Sequence, residues 1–193
     1  MKRRLLLLAA ALTLAPACLV LQVNPLYDDD SLTWEPGLVG AWAGVEDQVT
    51  LEIDRDEWRS YNIRYVHPGE TGHVTGYLTV VGDHRYLDVM PMRGEDRGAF
   101  LVPVHAFLHV RLDGDRLHLT PVAYDWLADR LRMGALPDGL DGALDQKENV
   151  LIVSPPSGCG RGCGVRRPGR GFLAQRPPSA ARGQRGTHGT RRC

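Results

Sequence analysis

The alternation of apolar and polar residues is clearest over residues 103–122, PVHAFLHVRLDGDRLHLTPV. Two alternating runs flank Asp113-Gly114, and Asp-Gly in such a setting predicts a two-residue hairpin. Folded there, Leu112 faces Asp115, Val110 faces Leu117, Leu108 faces Leu119 and Ala106 faces Pro121 on an almost wholly apolar side. The other side sets Arg111 opposite Arg116, His109 opposite His118, and Phe107 opposite Thr120. One face seeks a core and the other seeks water, the pattern of an antiparallel wall.

The same alternation extends upstream and predicts strands over 38–45, 49–53, 58–66, 75–81 and 84–90. The last two flank Gly82-Asp83, a second tight turn, which places Leu78 opposite Leu87 and Gly76 opposite Val89. No stretch before Val122 is long enough for a parallel crossover, so the sheet is antiparallel. A meander of this length must close or stack to hide its edges. The expected fold is therefore mainly β: a meander closed into a small barrel, with a sandwich as second choice. After Val122 the period changes. Trp126, Leu127 and Leu131 have helical spacing over 124–133, Asp125 is placed to cap the helix and Gly134 to end it. This short helix is expected to cover a barrel end, and 149–154 reads as a last strand.

Charge divides the chain. All 23 acidic residues lie between Asp28 and Glu148, where only 11 basic residues accompany them, giving that zone a net charge of −12. Nine arginines make the segment after Ser154 +9. A middle zone this acidic has no electrostatic reason to hold nucleic acid, so no nucleic-acid partner is expected. The tail, 155–193, is rich in Gly, Arg and Pro with no acid, and predicts disorder rather than a core. Its abrupt composition is also what out-of-frame reading of a GC-rich gene yields. Cys159 and Cys163 have C-x3-C spacing, which suits a local disulfide better than zinc, and Cys193 is left over.

The N-terminus reads as an export signal over 1–17. Lys2-Arg3-Arg4 is a basic start, 5–14 an apolar stretch, and Ala15-Pro16-Ala17 an A-x-A cleavage pattern directly before Cys18. Small residues before a cysteine, after such a leader, resemble the lipobox of bacterial lipoproteins, although that family usually has Leu where Ala15 stands. The resemblance implies that Cys18 is acylated and is the mature first residue. With Leu19 rather than Asp following, it implies an outer-membrane protein facing the periplasm. Simple secretion after Ala17 and an uncleaved apolar anchor are the alternatives. Residues 18–36, with two prolines and Asp28-Asp29-Asp30, read as a tether that packs on nothing, and 37–154 as the β domain.

Gly40-Ala41-Trp42 on the first strand of a meander resembles the opening motif of lipocalin-type barrels. That likeness implies a barrel holding a small apolar ligand or lipid, with Gly40 and Trp42 structural at its floor. A wider set is similar to small bacterial lipoproteins of unassigned function over about residues 18–154. It comprises Cys18, Gly40-Ala41-Trp42, Arg85-Tyr86-Leu87-Asp88, Leu101-Val102-Pro103-Val104-His105 and Tyr124-Asp125-Trp126-Leu127. The expected function is a lipid-anchored envelope protein binding a small apolar ligand. The alternative is a structural or interaction protein of the envelope with a filled core.

Candidate chemistry is sparse. On the predicted hairpin His109 and His118 are cross-strand partners, with Cβ atoms about 4.5–5.5 Å apart, the spacing of a shared metal. Arg111 and Arg116 beside them oppose a cation, and a wet outer face is the simpler reading. His67, Glu70 and His73 follow no zinc spacing. Asp88 falls mid-strand opposite Tyr77 and near Tyr86 on the non-core side, which suggests a polar site built on a Tyr–carboxylate hydrogen bond. The chain holds no Ser-His-Asp order, nucleophile elbow or phosphate-cradling loop. No catalytic residue or cofactor is assigned.

Overall fold

The computed structural model describes residues 19–45, 48–92, 102–155 and 172–177. In chain order the strands are β1 (Val20–Gln22), β2 (Leu32–Thr33), β3 (Gly40–Gly44), β4 (Thr50–Arg55), β5 (Ser60–His67), β6 (Glu70–Val81), β7 (His84–Pro91), β8 (His105–Asp113), β9 (Arg116–Pro121), β10 (Gly142–Leu144), β11 (Val150–Ile152) and β12 (Phe172–Gln175). Among the described residues one helix, α1 (Tyr124–Arg132), follows β9, and one 3-10 turn, Pro36–Leu38, precedes β3.

Strands β3 to β9 pair with their sequence neighbours in antiparallel order, and β12 joins β9 to β3. The result is a closed eight-stranded antiparallel barrel, the expected architecture. Alternation explains it. Leu51, Ile53, Ile63, Leu78, Leu87, Val110, Leu117 and Leu119 are buried together inside, while Glu52, Asp54, Arg64 and Arg111, one position out of phase, are exposed. Each large aliphatic side chain so buried contributes about 1.5–3 kcal/mol.

The two hairpins show what sets register. At β6–β7, Leu78 pairs with Leu87 and Gly76 with Val89, as expected. At β8–β9, Leu112 pairs with Leu117, Val110 with Leu119 and Leu108 with Pro121, so the expected pairing is displaced by two residues. The cause is the turn. Gly82 (φ +60°) and Gly114 (φ +57°) both occupy the first of two central positions, with Asp second. That is the Gly-X order of a type II′ turn rather than the Asp-Gly order of type I′. Because the displacement is even, every side chain keeps its face.

The barrel floor is closed by the 3-10 turn. Trp42 and Leu38 are each only 1% exposed, and the Trp42 indole N–H donates to the Leu38 carbonyl at 2.8 Å. Gly40 has φ +135°, open only to glycine. The Arg176 guanidinium packs over the Trp42 ring at 4.8 Å and donates to the carbonyls of Gly37 (2.8 Å) and Val39 (3.2 Å). The tail was expected to bury no core. Its residues 172–177 correct that: Ala174 is fully buried and β12 supplies the closing strand. Residues 156–171 and 178–193 of the tail, with Cys159, Cys163 and Cys193, lie outside the described residues.

The segment read as a free tether is also corrected. β1 lies between β8 and β11, parallel to the latter, and β2 pairs with β6. Trp34 stacks on Tyr61 at 4.5 Å. Helix α1 does not cover a barrel end. It packs beside the barrel in a second core, where Leu127 and Ala128 meet Val150, Ile152 and Leu140. Its N-cap is Ala123, without a side-chain cap bond, so Asp125 lies in the first turn and does not cap it.

Ending the chain at Pro155 removes β12 and leaves β3 and β9 as open edges. The shortened protein is expected to lose cooperative thermal unfolding and to self-associate in size-exclusion chromatography. Arg176→Ala, which keeps the strand, is expected to cost about 1–3 kcal/mol in denaturant unfolding.

Candidate functional site

Strand order leaves two places where chemistry gathers. The first is inside the barrel. A cavity of about 500 Å³ is walled by Leu51, Ile53, Val74, Leu87, Leu108 and Leu119 among others. Among the described residues its polar lining is confined to Tyr65, His67 and Glu70, which sit at the facing ends of β5 and β6. Tyr65 donates to Glu70 Oε1 at 3.1 Å, and burial, then the Glu70 hydrogen bond and charge, raise the phenol above its usual range. His67 Nδ1 lies 3.2 Å from the Pro68 carbonyl. The cavity end is therefore amphipathic: apolar walls below and three polar groups at one rim. A volume and lining of this kind match small-molecule sites in general.

The second place is the outer face of β7 and β8. Asp88 pairs across strands with Tyr77, as expected, but what holds its carboxylate was not foreseen. His105 Nδ1 lies 2.7 Å from Asp88 Oδ1, and the Leu26 N–H donates to Oδ2 at 2.8 Å. Asp88 is 0% exposed and His105 5%. Tyr27 stacks on Tyr77 at 4.5 Å. Burial, then Tyr77 and the nearby Asp88 charge, push the Tyr27 phenol well above its usual range. Tyr86 flanks the site and meets His109 edge-on at 5.6 Å. The face that sequence alone marked as wet is thus roofed by residues 22–27. Ser154 Oγ is buried there without a hydrogen-bond partner among the described residues, its backbone carbonyl held by Asn24 at 3.2 Å.

A buried carboxylate–imidazole pair can orient a general base, yet it is the carboxylate's other oxygen that binds the Leu26 amide. The pair therefore ties the N-terminal segment to the barrel. Missing it from sequence has a simple cause. Asp88 pairs with Phe107, so His105, two residues away on the same face, comes into reach only once the β7–β8 register is known. The long connection between those strands carries no turn signal to set it.

His109 and His118 are not partners. His109 pairs with Thr120 and His118 with Arg111, which corrects the shared-metal geometry. His109 meets His84 edge-on at 5.3 Å. Arg111 Nη2 donates to His118 Nε2 at 3.3 Å, so that nitrogen's lone pair is already used. Burial foremost, then His84 and Arg111, lowers the His109 pKa; burial and then Arg111 lowers that of His118. No cluster of metal-ligating side chains exists among the described residues. Gly40 and Trp42 lie on β3, with Trp42 buried against the 3-10 turn, and Cys18 lies outside the described residues.

No protein-family model, curated protein or solved structure matches this chain. The geometry is thus the ground for any functional reading.

Two outcomes follow. Asp88→Ala strands a buried imidazole and frees the Leu26 amide, and is expected to cost about 3–5 kcal/mol, with faster amide hydrogen exchange over residues 20–27. Both outer-face histidines bind protons less readily folded than unfolded. Their contribution to stability is full above the unfolded pKa of about 6.5 and is lost as pH falls through the lowered folded values. In an NMR titration both are expected below 6.5, and Arg111→Gln is expected to raise both.

Proposed function

We propose that this protein is a lipid-anchored carrier or sensor of the bacterial cell envelope, which binds a small amphiphile in its barrel. The observation that carries the reading is the cavity: about 500 Å³, apolar-walled, in a barrel otherwise packed and plugged at its floor. A filled interior would have favoured a purely structural role. The basic and apolar leader that ends at Ala17, directly before Cys18, supports the envelope location. Among the described residues no helix is long and apolar enough to cross a membrane. Attachment in this reading rests on acyl chains at Cys18, each buried methylene of which contributes about 0.8 kcal/mol.

Leu108→Trp fills the cavity from its wall. Native mass spectrometry of the protein purified from its own membranes is expected to find a bound small molecule in the wild type and none in this variant. An empty wild-type barrel would refute the carrier reading. Separately, Cys18→Ser is expected to abolish labelled palmitate uptake and to move the protein from the detergent phase to the aqueous one. Because Leu19, its neighbour, is already bonded to Asn149, the domain is expected to fold unchanged. Membrane association that survives the substitution without cleavage would replace the acyl anchor with the uncleaved apolar leader, and a wild type that takes up no label would replace it with simple secretion.

A further inference from the structure

Glu70 and Tyr65 at the cavity rim are placed to accept hydrogen bonds, and this narrows the ligand. Glu70 is a carboxylate, an acceptor only. The Tyr65 hydroxyl spends its one proton on Glu70 Oε1 at 3.1 Å and keeps its oxygen lone pairs. A carbonyl cannot donate, so the 3.2 Å contact between His67 Nδ1 and the Pro68 oxygen places a ring proton on Nδ1; Nε2 accepts only when the ring carries that proton alone. The Tyr65 ring is held at the rim because it lies across Gly72, where a β carbon would collide with it. Among the described residues the cavity lining contains no Lys or Arg. The nearest strand-borne guanidinium on β5, Arg64, points to the outer face and is neutralised by Glu52 at 2.7 Å.

We infer that the barrel selects an amphiphile with one apolar chain and a cationic, hydrogen-bond-donating head, such as a long-chain primary amine, and discriminates against a fatty-acid carboxylate. This rests on the carrier reading above. The chain fills the apolar walls, and the ammonium sits at the rim against Glu70, Tyr65 Oη and His67 Nε2. A carboxylate head there would meet the like charge of Glu70, and neither Glu70 nor Tyr65, whose proton goes to Glu70, has one to give it. An alcohol head, which donates but carries no charge, falls between the two.

The test uses the full chain, stripped of lipid, with dodecylamine, dodecanol and dodecanoate as probes below their critical micelle concentrations. Binding is read by calorimetry and by native mass spectrometry. The amine is expected to bind about tenfold more tightly than the acid, the scale of one partly exposed ion pair gained and one like-charge contact avoided. The preference should shrink as salt is raised. Glu70→Gln should bring amine and alcohol together, and Glu70→Lys should reverse the order of amine and acid. Glu70 is exposed, so neither change threatens the fold. If the acid binds as tightly as the amine, or Glu70→Lys leaves the order unchanged, the head-group inference fails while the carrier reading stands. If no probe binds wild type any better than it binds Leu108→Trp, the carrier reading itself fails and takes the inference with it.

Discussion

A barrel has no edges only if its last strand reaches its first. Here that reach is short: β12 meets β3 at two residue pairs, Ala174 with Gly44 and Gln175 with Ala43, and meets β9 at four. Much depends on this contact. It hides the unpaired edges of β3 and β9, and it carries Arg176 over Trp42 to lock the 3-10 turn beneath the floor. It also keeps the interior shielded on every side but one. The cavity, and with it any ligand chemistry, exists because the circle is complete.

How much of this was legible in the sequence depends on range. Period-two alternation is local, so the meander, the inside–outside assignment of Leu51, Ile53, Leu87 and Val110, and the barrel itself could be read directly. Turn chemistry is also local but finer. Gly82-Asp83 gave the correct register, whereas placing Gly114 second in its turn displaced the pairing and brought His109 and His118 together wrongly. Long-range closure left no local trace. Phe172-Leu173-Ala174-Gln175 sits in an Arg- and Gly-rich segment whose composition argues against any strand. β1 is three residues in a stretch that reads as leader and tether. Asp88 and His105 meet only through a register that their connecting loop does not announce.

The two polar assemblies differ in kind, although each contains a carboxylate and an imidazole. At Asp88 and His105 both groups are enclosed, and the carboxylate is bonded through both oxygens, to the His105 ring and to the Leu26 amide. Such a pair contributes uniqueness of docking more than net stability, because its desolvation cost offsets most of its attraction. At Glu70 and His67 the groups are exposed and carry unspent lone pairs. The first assembly is finished when the chain folds; the second still has bonds to make. That contrast, more than residue type, separates a structural clamp from a candidate recognition rim.

The docking of β1 has a mechanical consequence. Its ladder bonds run across the strand to β8 on one side and β11 on the other, and it begins two residues after Cys18. A pull on the chain at Leu19 along the strand axis loads both ladders in shear, so that the two residue pairs to β8 and the three to β11 share the force instead of peeling one by one. The Leu19 amide bonded to Asn149 leaves almost no slack before that load arrives. A barrel tethered this way would ride close to its point of attachment and turn with it, like a rigid fitting rather than a buoy on a line.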